Sequence, residues 1–231
     1  MSPIKIQIAG IKNFDEAQML LNSGVDMIGF PLVLPVHKPD VSEDEAADII
    51  RRLGVPKKCL LITYLQCHKD ILELSNKIGV NNIQLHGDVV VEEINKIRKA
   101  QHNIFIIKSI VVAPHCDRFD LLDALSRYEE YVDAFIIDTF DPLTGASGAT
   151  GKTQDWNISK WLVEHSVRPV ILAGGLNPKN VYEAIKIVRP YSIDVHTGIE
   201  DSLGNKDARL VADFVREAKR GFQNLEKSGL L

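Results

Sequence analysis

An aspartate in the second half of the chain is the strongest candidate for proton-transfer chemistry. Asp138 directly follows Phe135-Ile-Ile137, a pattern that predicts a buried strand opening into a pocket. A carboxyl group beside apolar neighbours tends to have a raised pKa, which suits a general acid or base. The structural alternative is that Asp138 caps the following loop through Thr139. Its position at a predicted strand end favours the functional interpretation.

Two successive loops have the composition of a phosphate-binding site. The apolar run 169–172 predicts a buried strand that ends in Gly174-Gly175, and Asn177-Pro178 predicts a helix start. Paired glycines let an anion approach backbone N–H groups, and a helix N-terminus favours negative charge. The next predicted strand begins at Tyr191 and also ends in a polar glycine loop, His196-Thr197-Gly198. Taken alone, a Gly-Gly pair is as often only a turn.

Three further reactive side chains lie at or just after the carboxyl ends of predicted strands, and each has two interpretations. Lys108 is either a Schiff-base lysine or a cation for a phosphate or carboxylate. His86 either shuttles protons or hydrogen-bonds a loop carbonyl. Cys67 is either a thiol that faces the pocket or a small apolar side chain. The other polar residues at these strand ends, expected to bind the substrate, are Gln7, Lys38, Gln84 and Asp194.

The chain as a whole predicts eight strands in strict alternation with eight helices. Asn13-Phe-Asp-Glu16 and Ser42-Glu-Asp-Glu45 match the capping box that begins helices. The predicted strands cover 4–9, 25–30, 59–65, 82–85, 104–109, 133–137, 169–172 and a run from 191. The predicted helices cover 13–23, 42–53, 68–78, 91–101, 118–128, 157–164, 177–188 and 205–224.

This alternation predicts an α/β fold, a single (β/α)8 TIM barrel that forms one domain over residues 1–231. The length is close to the ~250 residues typical of that fold. An open doubly wound sheet is the alternative, because alternation alone does not establish closure. In a barrel, phosphate sites commonly follow strands seven and eight, where the two glycine loops fall.

Bulk composition excludes several other classes of function. The net charge of −4 gives no reason to expect a nucleic acid or an anionic membrane as partner. No apolar run approaches the ~18 residues of a membrane span, and the N-terminus lacks a signal-peptide core, so a cytoplasmic location is expected. Cys59, Cys67 and Cys116 are widely separated, which predicts neither a disulfide framework nor a metal site.

A set of motifs, in the same order along nearly the whole chain, resembles one known family. The motifs are Gln7-Ile-Ala-Gly10, Ile83-Gln-Leu-His-Gly87, Ile136-Ile-Asp-Thr139, Gly148-Ala-Thr-Gly-Lys-Thr153 with Asp155-Trp156, Leu172-Ala-Gly-Gly-Leu-Asn-Pro178, Asp194-Val with Thr197-Gly198, and Lys206-Asp207. As a set they are similar to the phosphoribosylanthranilate isomerases of tryptophan biosynthesis.

The resemblance implies a (β/α)8 barrel, monomeric or homodimeric, that needs no cofactor and acts on a phosphorylated small molecule. The implied reaction is an Amadori rearrangement, which turns an N-linked phosphoribosyl aminoaldose into a ketose. The family's general acid, which acts on the ring oxygen, corresponds to Asp138. The family's phosphate loops correspond to Gly151, Gly174, Gly175, His196 and Thr197.

Three departures from the family pattern fall at the centre of this chemistry. Family members read Lys-Ile-Cys-Gly at the end of strand one, and that cysteine removes the C2 proton; here Ala9 takes its place, and a methyl group accepts no proton. The family's arginine for the anthranilate carboxylate has no counterpart, and His37 and Lys38 lie nearest. His196 replaces a small hydroxyl residue. Cys67 and His86 are the candidate replacement bases.

Three hypotheses about function follow. The first is an isomerase of a phosphorylated sugar or its amine conjugate, with Asp138 retained, the second catalytic group altered, and a substrate that differs from the anthranilate conjugate. The second is a lyase or aldolase that uses Lys108. The third is a catalytically inactive barrel that binds a phosphorylated ligand.

Overall fold

The computed structural model describes residues 5–35, 38–112, 117–141, 146–147 and 156–229. Within these ranges, eight parallel strands surround a central axis. They are β1 (Ile6–Ala9), β2 (Met27–Leu32), β3 (Cys59–Thr63), β4 (Asn82–Leu85), β5 (Phe105–Val112), β6 (Ala134–Asp141), β7 (Val170–Leu172) and β8 (Ser192–Val195).

The strands form a closed barrel. Each pairs in parallel with its neighbour in the chain, from β1 to β8. β8 then pairs with β1, with Gln7 opposite Asp194 and Ile8 opposite Val195. The predicted (β/α)8 barrel is therefore confirmed, and the open sheet is excluded.

Helices alternate with these strands and cover the outside of the barrel. They are α1 (Phe14–Asn22), α2 (Glu43–Leu53), α3 (His68–Ile78), α4 (Val91–Ala100), α5 (Arg118–Tyr128), α6 (Trp156–His165), α7 (Val181–Val188) and α8 (Ala208–Lys227). None of these described helices is both long and apolar enough to cross a bilayer.

The apolar core has two layers because successive residues of a strand face opposite sides. The larger layer fills the space between strands and helices. The smaller one fills the barrel interior and consists of Ala9, Met27, Leu60, Ile62, Ile107, Ala134, Ile136, Ile171 and Ala173. This smaller layer contains residues of six of the eight strands and shows which positions on those strands point inward, and it thereby helps to identify the side chains that can meet a ligand at the barrel mouth.

Strand β6 is longer than the sequence predicts. It runs to Asp141, four residues beyond the expected end, and its last residues pair antiparallel with the two-residue strand Ala146–Ser147. The two residues that precede the Gly148-Ala-Thr-Gly-Lys-Thr153 motif thus pair back on β6. Asp138 consequently lies within a strand rather than after one.

Helix α7 begins at Val181, so the predicted start at Asn177-Pro178 is wrong. The side chain of Asn177 accepts a hydrogen bond from Lys179 N at 2.9 Å, and Asn180 Oδ1 accepts one from Asn177 N at 2.8 Å. Such side-chain bonds to the local backbone stabilise turns in competition with a helix. The glycine pair is therefore separated from the helix by a turn.

The capping box that opens α2 provides a test of local stability. The Ser42 hydroxyl accepts from Glu45 N at 3.2 Å, and Glu45 Oε2 accepts from Ser42 N at 2.7 Å. Ser42→Ala should lower the free energy of unfolding by about 1 kcal/mol, which thermal unfolding would register as a Tm decrease of roughly 2–4 °C. Ser202→Ala, at an exposed turn, is the matched control; equal effects of the two changes would contradict the role of the cap.

Candidate active site

Two carboxylates face each other inside the barrel mouth. Ile137 of β6 is opposite Leu172 of β7, and Leu172 is opposite Ile193 of β8. The residues that follow these three in the chain are Asp138, Ala173 and Asp194. They therefore lie side by side on adjacent strands, with their side chains facing the barrel interior. Neighbouring strands lie about 4.8 Å apart, which separates the two aspartate backbones by roughly 10 Å. The small side chain of Ala173 leaves the space between them open.

Six of the predicted site residues line one cleft at the carboxyl ends of β6, β7 and β8. They are Asp138, Gly174, Gly175, Asp194, His196 and Thr197. This grouping combines two carboxylates, an imidazole, a hydroxyl and a glycine loop. It provides groups for proton transfer beside backbone N–H groups for an anion.

The two loops that border this cleft are in close contact. A Cβ on Gly198 would lie 1.8 Å from the carbonyl oxygen of Leu176, so only glycine permits this approach. Thr197 and Gly198 belong to a short 3-10 helix, Thr197–Ile199. The contact fixes the loop after β8 against the loop after β7, which are the two loops expected to hold a phosphate.

The Asp194 carboxyl is held in an unusual electrostatic environment. Burial, followed by the nearby charge of Asp138, raises its pKa to about 7. A polar contact with Gln7 and the charge of Lys206 offset part of this rise. Asp194 Oδ1 is buried and accepts no hydrogen bond from the protein. A pKa raised in this direction suits an acid–base group that works near neutral pH.

A row of buried amides crosses the barrel interior from Asp194. Gln7 Nε2 donates to Gln84 Oε1 at 2.8 Å, and Gln84 Nε2 donates to His86 Nε2 at 2.6 Å. Because Gln7 donates through Nε2, its Oε1 atom is buried and receives no hydrogen bond. Gln7 is the residue opposite Asp194 in the sheet. The contact with Gln7 lowers the Asp194 pKa, so the raised value follows from burial and from the charge of Asp138.

His86 is brought to this region but is a poor base. Burial and the charge of Lys108 lower the pKa of its imidazole to about 3. Its ring stacks on Tyr64, with centroids 5.3 Å apart, and burial followed by the charge of Asp138 raises the Tyr64 pKa to about 12. Sequence inspection missed Tyr64, although it directly follows Thr63 at the end of β3. His86 therefore acts as a neutral acceptor for Gln84.

A buried ion pair holds the backbone of His196, and its members were not predicted as site residues. Lys206 Nζ donates to the His196 carbonyl at 2.9 Å and to Glu200 Oε1 at 2.6 Å. Its own side chain is completely buried. Glu16 of α1 accepts a hydrogen bond from Lys206 N at 3.2 Å. The only sequence signal was the Lys206-Asp207 motif, which carried no indication of burial.

Lys108 is not brought to the cleft. Ile107 belongs to the barrel interior and Ile106 to the helix-facing layer, so Lys108 faces the helices. Its ammonium donates to the Ser109 carbonyl at 2.8 Å and lies 5.3 Å from the ring centre of Tyr128. Burial lowers its pKa to about 8. This placement does not support a contact with the substrate.

Cys67 is also absent from the lining of the cleft that contains the two aspartates. It immediately precedes α3, and its sulfur lies within 4.8 Å of ligand atoms of His68 and Glu93. His68 Nδ1 lies 2.6 Å from one carboxylate oxygen of Glu93, and Lys96 pairs with the other. Both oxygens thus have partners that already explain the cluster, and nothing favours a metal ion there.

Lys38 and Gly151 complete the set of predicted residues. Lys38 is exposed, and its charge acts on Glu45 near the start of α2. Gly151 lies outside the described residues, as does the side chain of Thr139, through which Asp138 was alternatively expected to cap a loop.

The raised pKa of Asp194 predicts how stability depends on pH. The unfolded chain releases this proton from about pH 4, whereas the folded protein holds it until about pH 7. The free energy of unfolding therefore falls across this window as the pH rises. Asp194→Asn should be more stable than the unaltered chain at pH 8, by roughly 2–4 kcal/mol. The difference should vanish below pH 4 in urea unfolding.

The matched control for this prediction is Asp213→Asn on α8, where the carboxylate pairs with Arg216 at the surface. It should show no comparable gain at pH 8, because a surface pair contributes little. A stability difference for Asp194→Asn that stays constant from pH 3 to pH 8 would contradict the assigned burial of the charge.

Comparisons of the sequence identify relatives along nearly the full chain. The family model described as N-(5'phosphoribosyl)anthranilate (PRA) isomerase matches residues 6–217. N-(5'-phosphoribosyl)anthranilate isomerase 2 of Methanosarcina mazei is 39% identical over 222 residues, which cover 95% of this chain and 96% of that protein. The N-(5'-phosphoribosyl)anthranilate isomerase of Methanocaldococcus jannaschii is 35% identical over 225 residues, covering 94% and 97%.

Solved structures agree with these relatives. Phosphoribosyl anthranilate isomerase from Thermotoga maritima has a TM-score of 0.77 at 31% identity, covering 94% of this chain and 99% of that chain. A phosphoribosyl anthranilate isomerase in complex with reduced 1-(o-carboxyphenylamino)-1-deoxyribulose 5-phosphate has a TM-score of 0.75 at 29% identity, with the same coverage. The match of fold, family model and relatives confirms the resemblance, and the chain belongs to the N-(5'-phosphoribosyl)anthranilate isomerase family.

Proposed function

We propose that this chain catalyses the Amadori rearrangement of phosphoribosylanthranilate, the isomerisation that serves tryptophan biosynthesis. The observation that carries the proposal is the pair Asp138 and Asp194, which flank Ala173 inside the barrel mouth beside Gly174 and Gly175. The pair supplies groups for proton transfer at one side of an anion-binding loop. A phosphorylated aminoaldose has both features that such a site recognises.

Asp138 acts as the general acid in this proposal. It donates a proton to the ring oxygen of the ribose, the ring opens, and the C1–N bond becomes an iminium. The carboxylate form of Asp194 lies across Ala173, where negative charge would stabilise the developing cation. Loss of the C2 proton then gives an enolamine, which becomes the ketose. The atoms of substrate and product are the same.

The phosphate is expected in the loops after β7 and β8. Gly174 and Gly175 have φ values of 91° and 62°, which turn the backbone at the cleft, and the contact of Gly198 with Leu176 holds the second loop against the first. Lys206 is already engaged by Glu200, so backbone N–H groups rather than this ammonium would bind the anion.

The altered-substrate hypothesis rests on the changes at Ala9 and in the loop after β2. Lys38 is exposed and does not replace an arginine fork for a carboxylate. A different phosphorylated sugar or amine conjugate is therefore the second candidate, and substrate competition decides between the two. The outward direction of Lys108 gives no support to a lyase or aldolase. The expectations of a monomer or homodimer and of a cytoplasmic location stay predictions.

The first test is turnover of freshly generated phosphoribosylanthranilate by the purified protein. The unaltered chain should be active, and Asp138→Asn should lose about 10²–10⁴ in kcat because the general acid is gone. Asp213→Asn, which removes an exposed carboxylate on α8, is the matched control and should retain activity. Lys108→Met should also retain activity, because its ammonium lies on the helix side.

Three results would refute this assignment. Binding of a non-reactive product analogue without any turnover would support the inactive ligand-binding barrel. Turnover of another phosphorylated aminoaldose in preference to phosphoribosylanthranilate would support the altered substrate. Trapping of a carbonyl compound on Lys108 by borohydride would favour the lyase.

The phosphate loop can be tested separately. Gly175→Val places a branched side chain on a left-handed residue that lines the cleft, and it should abolish the affinity for a phosphorylated ligand in calorimetry. Gly79→Val is the matched control, since Gly79 has a similar φ of 78° at the end of α3, with open space around it. Unchanged affinity in Gly175→Val would remove the phosphate site from this loop.

A further inference from the structure

The end of β1 lacks the thiol that the family uses as its base, and another side chain lies beside that position. Ile8 of β1 pairs with Val195 of β8, so Ala9 at the end of β1 lies beside His196, which directly follows β8. Adjacent strands lie about 4.8 Å apart. The His196 side chain is therefore attached to the backbone beside Ala9.

The His196 ring extends over the end of β1. A Cβ built on Gly10 would lie 2.0 Å from His196 Nε2 and 2.6 Å from its Cδ2. Gly10 has a φ of 81°, and the absence of a side chain there creates the space that the ring fills. The imidazole thus covers the residue that follows the methyl group of Ala9.

The ring is held in place yet remains accessible. Its side chain is 24% exposed and lines the cleft together with Asp138 and Asp194. His196 Nε2 lies 3.5 Å from Glu200 Oε1, and Lys206 binds both Glu200 and the His196 carbonyl. A carboxylate beside one ring nitrogen orients the imidazole ring.

We propose that His196 is the general base of this chain and takes the role of the thiol that Ala9 lacks. The inference rests on the proposed function. An imidazole nitrogen takes the C2 proton of the iminium, the C–H electron pair forms the C1=C2 bond, and the C1=N pair moves onto nitrogen and discharges it. The imidazolium then returns a proton to C1, which takes the C1=C2 electron pair, and the C2 hydroxyl proton passes to the Asp138 carboxylate, so the enolamine becomes the ketose and the acid is restored. No other reactant is consumed.

This assignment accounts for the changes at Ala9 and His196 together, whereas it does not explain the missing arginine. Ala9 is smaller than the cysteine it replaces, and His196 is larger than the small hydroxyl residue it replaces. The larger side chain at His196 therefore compensates for the smaller one at Ala9. Gln7 stands where the family has a lysine, opposite Asp194. A neutral amide there avoids a buried ammonium that would oppose an imidazolium.

The test compares His196→Ala and His196→Gln with the unaltered chain on phosphoribosylanthranilate. Both variants should lose about 10²–10⁴ in kcat, while affinity for a non-reactive product analogue should fall far less, because backbone N–H groups rather than this side chain are expected to bind the phosphate. Added imidazole should restore part of the activity of His196→Ala. His165→Ala, an exposed histidine on α6, is the matched control and should behave like the unaltered chain.

The pH profile separates a base from a structural residue. Activity of the unaltered chain should fall as acid protonates an imidazole. The charged groups that face His196 are Asp138 from β6, Asp194 of β8, and Glu200 and Lys206 after β8. In the double variant Ala9→Cys/His196→Ser, activity should return with its acid limb moved to higher pH, because a thiol ionises at higher pH than an imidazole.

Three results would overturn the inference. If the unaltered chain is active and His196→Ala keeps its rate and pH profile, His196 is not the base, although the proposed function stands. If Asp194→Asn removes the acid limb and His196→Gln does not, the base is Asp194. If the unaltered chain does not turn over phosphoribosylanthranilate, the proposed function fails and this inference fails with it.

Discussion

The pairing of β8 with β1 is the interaction on which the rest of the structure depends. It closes the barrel through Ile6, Gln7 and Ile8, and it places the chain's last strand against its first. Closure removes the free sheet edges and directs all eight strands toward one rim. Residues nearly 190 positions apart in sequence, Gln7 and Asp194, thereby become neighbours in the barrel interior.

Barrel closure also buries polar groups, which lowers the stability of the fold and at the same time raises the pKa of Asp194. An apolar interior would be more stable than one that contains Gln7, Gln84 and Asp194, because buried polar groups without partners are destabilising. The amide row satisfies most of them, and Asp194 is left with a raised pKa. Sites that carry chemistry commonly sacrifice stability in this way. The same environment that destabilises Asp194 gives it a pKa suited to proton transfer.

Local pattern predicted much of the fold because caps and strand lengths depend on nearby residues. Helix α3 and strand β4 have the predicted bounds, and the capping box of Ser42 is present. The start of α7 was wrong because asparagine side chains stabilise a turn before it. The direction of Lys108 was beyond prediction, since β5 is apolar on both faces and its sequence does not show which face is inward. The candidate site was predicted as a set of strand ends, whereas the contact of His196 with Gly10 depends on barrel closure.

The central claim is that this barrel performs the family's isomerisation without a thiol. The most direct measurement is turnover of phosphoribosylanthranilate by a cysteine-free variant, Cys59→Ala with Cys67→Ser and Cys116→Ser, beside the unaltered chain. The account predicts that both are active and differ less than about threefold, since a lost base would cost far more. An active unaltered chain with an inactive, correctly folded cysteine-free variant would contradict it, as would the absence of turnover by both.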